Sequence, residues 1–330
     1  MNKLHLLIVL TICSLAAVGS EARHIQDDVA RLCQPTPLST IQKGIHCSCS
    51  AHHSLQSIPR QNDWQKNGLV LTIRLHGCRD IGSIGKELST YHDLKTLDIQ
   101  GSGIKKLENE AMIFNIDITT LIIKNSKISR IEPNAFIGIS KLRYLDLSGN
   151  KIDNLPVEAF KEIRTLQTLN LDGNKIDFIG KEIFVRLSSL QSLSLRGNRV
   201  GTIDPDAFQN MLSLREILLD DNMVRNLDLT PFVGLPELIT LSVSNNKITK
   251  WTVPREENGV YDTNVVGNEN YTPAKLSVKI LIMANNDMTV LSDKFFQAMP
   301  LIEVLDVSDN SLTYIGGNAI SKLRQDIHLL

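Results

Sequence analysis

The side chains that could do chemistry in this sequence fall into a few short groups. Asp220 and Asp221 are adjacent acids, a pairing that suits calcium binding or general acid–base work. Gly77 and Gly82 have the spacing of a phosphate-binding loop, but Ser83 follows where that loop needs a lysine. No Gly-x-Ser-x-Gly segment occurs. Because clustered acids are usually a solvated strand edge, the sequence predicts no catalytic residues, no cofactor and a protein that is not an enzyme.

Cysteines and histidines near the N-terminus raise the question of a metal site. The residues concerned are Cys33, Cys47, Cys49, Cys78, His46, His52 and His53. Their spacing matches no zinc finger or zinc ribbon. An even number of cysteines near one end of an exported chain is typical of disulfides. We therefore expect disulfide bridges among these four cysteines and no metal.

The first residues have the pattern of an export signal. Lys3 gives a positive start, an apolar run extends from Leu4 to Val18, and small residues offer cleavage after Ser20 or Ala22. The run is shorter than the roughly 20 apolar residues that a membrane-spanning helix needs. We expect residues 1–20 to be a signal peptide and the mature chain to be secreted without a membrane span.

The overall composition narrows the choice of partner. The formal net charge is -1 over 330 residues, which gives no electrostatic reason to expect nucleic acid or an anionic membrane as partner. Hydrophobic residues make up 42% of the chain and aromatic residues only 5%, so leucine and isoleucine must fill the core.

The elements that position these side chains repeat along the chain. The run from Leu142 to Asn150 has apolar residues at its first, fourth and sixth places and asparagine at its ninth. The ninth places of the ten units are Cys78, Ser102, Ser126, Asn150, Asn174, Asn198, Asn222, Asn246, Asn286 and Asn310. Every step is 24 residues except the 40 from Asn246 to Asn286, so one repeat is 16 residues longer than the others, with the insertion falling within about residues 252–275. Phenylalanines that should stack as a spine recur at Phe136, Phe160, Phe184, Phe208, Phe232 and Phe296.

This motif, L-x-x-L-x-L-x-x-N, resembles the 24-residue extracellular form of the leucine-rich-repeat superfamily, over about residues 70–330. The resemblance implies an α/β solenoid shaped as a horseshoe. A parallel β-sheet would line the concave face, and irregular or short helical turns the convex side. The Leu-x-Leu alternation supports this, because both leucines then lie on one strand face that only stacked neighbours can bury. The asparagines would form a ladder that satisfies backbone groups, and Ser102 and Ser126 can do this only in part.

Residues 21–69 resemble the cysteine-rich N-terminal flank of extracellular members of this superfamily. Cys47-Ser-Cys49 and Leu55-Gln-Ser-Ile58-Pro59 carry that resemblance. In the family flank the bridges interleave, which would give Cys33–Cys49 and Cys47–Cys78, and the alternative for Cys78 is a buried free thiol. At the other end, residues 327–330 start another apolar strand, and an open edge there would allow homo- or hetero-oligomers.

The places between the apolar strand residues should face the solvent on the concave side. Seven of them form our expected ligand surface: Tyr144, Asp146, Asn170, Asp172, Arg196, Leu218 and Asp220. They come from consecutive coils, so they should lie about one strand spacing apart, and they combine the aromatic and charged groups of interface cores and rims. The rival site is the polar insertion, which holds the chain's N-glycosylation acceptor, Asn270.

These features together predict a secreted protein that binds a protein ligand on its concave face. The resemblance implies an animal recognition protein, of an insect-like immune or cell-surface type. Two alternatives are an extracellular-matrix organiser, which strong self-association or collagen binding would favour, and an inhibitor of a secreted enzyme.

Overall fold

The computed structural model describes residues 31–37, 42–50, 53–60, 69–84, 86–157, 159–254, 260–262, 272–316 and 328–329. The expected signal peptide, residues 1–20, and the glycosylation acceptor Asn270 lie outside these ranges. No helix within the described ranges has the length and apolar character needed to cross a bilayer.

Short strands recur along the described chain. They are β1 (Cys33–Pro37), β2 (Gln42–Ser48), β3 (Leu69–His76), β4 (Thr96–Gln100), β5 (Lys106–Leu107), β6 (Thr120–Lys124), β7 (Arg130–Ile131), β8 (Tyr144–Asp146), β9 (Thr168–Asn170), β10 (Phe178–Ile179), β11 (Ser192–Ser194), β12 (Thr202–Ile203), β13 (Glu216–Leu218), β14 (Asn226–Asp228), β15 (Thr240–Ser242), β16 (Lys250–Pro254), β17 (Val260–Asp262), β18 (Ile280–Ile282), β19 (Val290–Leu291), β20 (Val304–Asp306), β21 (Tyr314–Ile315) and β22 (His328–Leu329). Helix α1 spans Asp293–Ala298, and 3-10 turns span Lys86–Thr90 and Thr230–Phe232.

One sheet of thirteen strands runs through the described chain, in the order β1-β2-β3-β4-β6-β8-β9-β11-β13-β15-β18-β20-β22. Neighbouring strands pair in parallel, except β1 and β2, which are antiparallel. Successive coils stand in register, so that Leu145 lies opposite both Leu121 and Leu169. The expected solenoid of stacked parallel strands is confirmed. Its opposite side is irregular, with little helix and with short strand pairs such as β10-β12 and β19-β21.

The phenylalanine spine is confirmed for five consecutive coils. Ring centroids from Phe136 to Phe232 are 5.7, 5.9, 6.3 and 5.7 Å apart, and all four pairs are stacked. Strands in a sheet lie only about 4.8 Å apart. Because neighbouring coils are spaced more widely at the phenylalanines than at the sheet, the solenoid curves with the sheet on its inner, concave side.

Phe296 was expected in the same column, and that expectation is wrong. Phe296 packs edge-on against Phe295, with ring centroids 5.3 Å apart. Phe295 in turn contacts Trp251 edge-on, at 4.9 Å. The short helix α1 and the large indole of Trp251 replace the usual turn in these coils, so the 24-residue spacing no longer sets the ring positions.

The asparagine ladder is also confirmed. The side-chain amide of Asn198 donates to the carbonyls of Leu171 at 2.9 Å and Leu195 at 3.0 Å, and its oxygen accepts from the backbone N–H of Ile176 at 3.1 Å. The same three bonds recur at Asn150, Asn174, Asn222, Asn246, Asn286 and Asn310.

Serine substitutes for asparagine in two N-terminal coils. Ser126 accepts at its hydroxyl from the backbone N–H of Ser102 at 3.1 Å, and the two hydroxyls are hydrogen-bonded at 2.9 Å. A hydroxyl cannot donate to two carbonyls as a primary amide does. Serine therefore replaces the ladder asparagine only in part, as expected.

The residue before each ladder position has a left-handed backbone. Its φ lies between 50° and 73° in all ten coils, at Gly77, Gly101, Asn125, Gly149, Gly173, Gly197, Asp221, Asn245, Asn285 and Asp309. Glycine, asparagine and aspartate are the residues that tolerate this conformation. Asp221 therefore has a turn-forming role, which accounts for one acid of the Asp220–Asp221 pair.

The N-terminal flank joins the sheet through β1 and β2, and its disulfides differ from those expected. The bridges are Cys33–Cys47 and Cys49–Cys78, so the interleaved pairing Cys33–Cys49 and Cys47–Cys78 is wrong, as is the free thiol at Cys78. The antiparallel β1 and β2 place Cys33 directly opposite Cys47, with Cα atoms 3.9 Å apart. Cys49 lies past the end of β2, where its backbone N–H donates to the carbonyl of His76 at 2.9 Å. That bond brings Cys49 beside Cys78.

A single substitution distinguishes the two pairings. Cys33→Ser is expected to leave Cys47 with a free thiol, which alkylation of the denatured protein and fragmentation of the labelled peptide will locate. Wild-type protein treated in the same way should take up no label. A label on Cys49 in the Cys33→Ser variant would instead show that Cys33 pairs with Cys49, as the interleaved arrangement requires.

Candidate functional site

The solvent-facing side of the thirteen-stranded sheet, here called the sheet face, holds all seven residues of the expected ligand surface. Tyr144 lies opposite Thr168, Asp146 opposite Asn170, and Leu218 opposite Ser194. The three remaining residues, Asp172, Arg196 and Asp220, lie two positions past the ends of strands β9, β11 and β13. The four coils place these side chains side by side because their strands pair in register.

Several of these side chains are less available than the sequence indicated. Asp146, Leu218 and Asp220 are buried, with relative exposures of 5%, 7% and 8%. The carboxylate of Asp172 accepts from the Ser194 hydroxyl at 2.5 Å and from the backbone N–H of Arg196 at 2.8 Å. Asp172 therefore ties its coil to the next one as well as facing solvent.

Asp220 repeats this bonding one step along the solenoid. Its carboxylate accepts from the hydroxyl of Ser242 and from the backbone N–H of Ser244, the latter at 2.9 Å. Asp146 and Asn170 bond more locally, each accepting at about 2.9 Å from the backbone N–H two residues on. The local bonds could be predicted from the sequence, because aspartate and asparagine side chains commonly accept from the backbone N–H two residues ahead.

Tyr144 and Arg196 are the large side chains of the seven that remain open to a partner. Tyr144 is half-buried, and its hydroxyl forms no hydrogen bond within the described residues. Burial, together with the neighbouring carboxylates of Asp146 and Asp172, raises the pKa of the Tyr144 phenol, which stays neutral and able to donate. The guanidinium of Arg196 donates from Nε to Asp220 at 2.8 Å, and this bond raises the pKa of Arg196.

The N-terminal end of the sheet face carries a polar cluster that the sequence reasoning missed. The Asp98 carboxylate accepts from Gln100 at 2.9 Å and lies 3.4 Å from Nε2 of His76 and 3.9 Å from Nε of Arg74. The His76 ring contacts the ring of His46, with centroids 5.0 Å apart. These residues come from the flank and the first two coils, so no local motif joins them. The described residues contain no set of three or more His, Cys, Asp or Glu side chains placed to hold a metal ion.

The C-terminal end of the sheet face is apolar. Ile280 lies between Thr240 and Val304 in the sheet, and Ile280, Ile282 and Val304 are all partly exposed. Strand β22 extends the sheet past β20, with His328 opposite Val304.

The insertion starts on a different surface. Strand β16 pairs with β14 and with β17 in a separate three-stranded sheet on the irregular side of the coil. Trp251 and Val253 are fully buried and Thr252 nearly so, so the first residues assigned to the insertion belong to the core. The described part of the insertion is therefore not on the sheet face.

Comparison with known proteins agrees with this architecture. The leucine rich repeat family model matches residues 92–152, 164–224 and 277–325, which together make up more than half of the chain. No curated protein sequence matches significantly.

Three solved structures illustrate the similarity of fold. A chain of the Toll–Spatzle complex of Drosophila has a TM-score of 0.65 at 20% identity, over 79% of this chain and 33% of that chain. A chain of the TLR13–ssRNA13 complex has a TM-score of 0.60 at 21% identity, over 73% and 37%. A chain of the octameric complex of latrophilin 3, Unc5D and the leucine-rich-repeat protein FLRT2 has 0.59 at 20%, over 86% and 91%.

This chain thus spans only about a third of the Toll and TLR13 chains that it matches. A sequence identity of about 20% supports similarity of fold but does not show which ligand this chain binds. The repeat frame, the asparagine ladder and the family match nevertheless agree along the solenoid. The chain belongs to the leucine-rich-repeat family.

Proposed function

We propose that this chain is an extracellular binding module, not an enzyme, and that it holds a protein partner on its sheet face. The observation that carries this proposal is the pair of Tyr144 and Arg196, which are the large accessible side chains on a face where Asp172 and Asp220 are fixed by hydrogen bonds to the next coil. Tyrosine and arginine are enriched among residues that dominate interface energies. A face fixed before binding loses little entropy when the partner docks.

The chemistry of the face favours a protein over a nucleic acid. Four carboxylates, those of Asp98, Asp146, Asp172 and Asp220, lie along it. Asp98 and Asp220 are paired with cations, and the negative charge of Asp146 and Asp172 repels phosphate. The matched Toll and FLRT2 chains come from complexes with other proteins, whereas the TLR13 chain comes from a complex with single-stranded RNA.

The two disulfides support the extracellular part of the proposal. Such bridges persist in oxidising compartments and are rare in the cytosol. We place the chain among secreted recognition proteins, with a role in immunity or at the cell surface.

A double substitution on the sheet face tests this proposal. Tyr144→Ala with Arg196→Ala is expected to weaken partner binding by roughly 100-fold or more, because each side chain has the character of an interface hot spot. The partner is first captured from extracellular fluid on wild-type protein and identified by mass spectrometry, and its affinity for each variant is then measured. The fold should be unaffected, because Asp220 still accepts from Ser244 when Arg196 is removed.

The matched control lies on the irregular side of the solenoid. Tyr314→Ala with Arg186→Ala removes the same two side-chain types at exposed positions and should leave binding unchanged. Asp172 is left intact, because its hydrogen bonds to the next coil would make a charge reversal there a stability change. If the sheet-face variant binds normally while deletion of residues 254–271 abolishes binding, the insertion is the recognition element instead.

A further inference from the structure

Four cations form a column along the edge of the solenoid that carries the asparagine ladder. This basic column consists of Lys127, Lys151, Lys175 and Arg199, each of which directly follows a ladder residue. The backbone N–H of each residue donates to a carbonyl of the preceding coil, at distances of 3.2, 2.7, 2.8 and 2.9 Å respectively. These bonds align the four residues one coil apart, so the backbones of neighbouring residues are about 5 Å from each other along the column.

The basic column is exposed and its charges are not neutralised. All four side chains are exposed, and none has an ion-pair partner among the described residues. The exposed carboxylates of Asp153 and Asp177 lie two residues further along their coils, yet neither forms an ion pair with the column in the described structure.

Cations on the opposite edge are arranged differently. Lys141 and Lys95 share the carboxylate of Asp117, at 2.6 and 2.7 Å, and their hydrogen bonds lower the pKa of Asp117 to about 2. Lys279 pairs with Glu303 at 3.0 Å. Although the net charge of the chain is only -1, one edge of the solenoid therefore carries a row of cations that form no ion pairs within the described residues.

We infer that the basic column binds a linear sulfated polysaccharide. Like charges at this spacing repel one another, and a linear polyanion laid across the coils would neutralise them together and release its own counterions. The column lies on an open edge, so it fits an extended polymer better than a small ligand.

A single-stranded nucleic acid fits the column less well. Binding of unpaired bases relies on a series of aromatic side chains on which the bases stack. Among the described residues of these four coils, a single exposed aromatic side chain, Phe178, lies beside the column. The column also lies on the edge of the solenoid and not on the sheet face, so both surfaces can be occupied at once.

The probe for this inference is a short heparin fragment, with binding measured by calorimetry or surface plasmon resonance at physiological salt. Lys151→Gln with Lys175→Gln should weaken heparin binding by roughly tenfold or more and should make its salt dependence less steep, since two cations no longer displace counterions. The control is Lys181→Gln with Arg186→Gln, which removes two exposed, unpaired cations from the back of a single coil. It should change affinity less than twofold, on the same electrostatic argument.

Competition experiments separate the sources of negative charge. Hyaluronan, which carries carboxylates and no sulfate, should compete poorly, and so should single-stranded oligouridine of equal charge. The inference is overturned if heparin does not bind at physiological salt, if the control weakens binding as much as the column variant, or if either competitor binds as tightly as heparin. Capture of the protein partner on the sheet face should be unchanged in the column variant, so the two proposals fail independently.

Discussion

Leu193→Asp is expected to lower the free energy of unfolding by roughly 4 kcal/mol or more, the largest effect of any single change that we predict. Leu193 is fully buried in β11 and lies between Leu169 and Ile217 of the neighbouring strands. A carboxylate at this point would be buried without a cation or a donor, and the lost leucine would leave a cavity as well. The measurement is chemical denaturation followed by circular dichroism.

The control introduces the same charge two residues earlier, where the side chain is exposed. Gln191→Asp should change the free energy of unfolding by about 0.5 kcal/mol or less, the range of ordinary surface substitutions. An unchanged denaturation curve for Leu193→Asp would mean that the residues between Leu190 and Asn198 are in a different register from the one described.

Asn198→Ala should destabilise the protein by about 2 kcal/mol, because one buried backbone N–H loses its partner and two buried carbonyls each lose one of their two donors. The N–H of Ile176 donates to this side chain, whereas the carbonyls of Leu171 and Leu195 also accept from the amides of Asn174 and Asn222 respectively. Each unsatisfied buried group costs roughly 1–3 kcal/mol, reduced where water can enter. Urea denaturation of the purified variant measures the loss.

A graded series makes this prediction sharper. Asn198→Ser should lie between wild type and Asn198→Ala, because Ser102 and Ser126 show that a hydroxyl supplies part of the ladder. If the serine and alanine variants were equally stable, the side-chain amide would contribute packing only, and the ladder bonds would carry no net energy.

The sequence predicts the solenoid well because each copy of the repeated sequence folds in the same way. The spacing that brings Leu145 opposite Leu169 also aligns the asparagines, the left-handed residues before them and five phenylalanines. Prediction fails where the period ends. At Phe296 a short helix and Trp251 replace the regular turn, and at Cys33 the pairing depends on an antiparallel strand that no repeat specifies.

The candidate site was predictable in position but not in detail. Alternation along each strand is enough to place Tyr144, Asp172 and Arg196 on one face. It does not reveal that Asp172 and Asp220 accept backbone bonds from the next coil, because that partner is 24 residues away and any side chain can supply a backbone N–H. The cluster around Asp98 was missed for a similar reason, since His46 belongs to the flank and not to a repeat.

The ladder continues across the insertion without a gap. The Asn286 side chain accepts from the backbone N–H of Ile248 at 3.0 Å and donates to the carbonyl of Val243 at 3.1 Å, and Leu241 pairs with Leu281. The scaffold on both sides is thus the same as in an uninterrupted pair of coils. Since the entropy of closing a loop grows only slowly with its length, the sequence between the buried strand β16 and Pro273 can be exchanged at little thermodynamic cost. This makes the junction a natural graft point, where evolution or a protein engineer can install a foreign peptide without redesigning the coils.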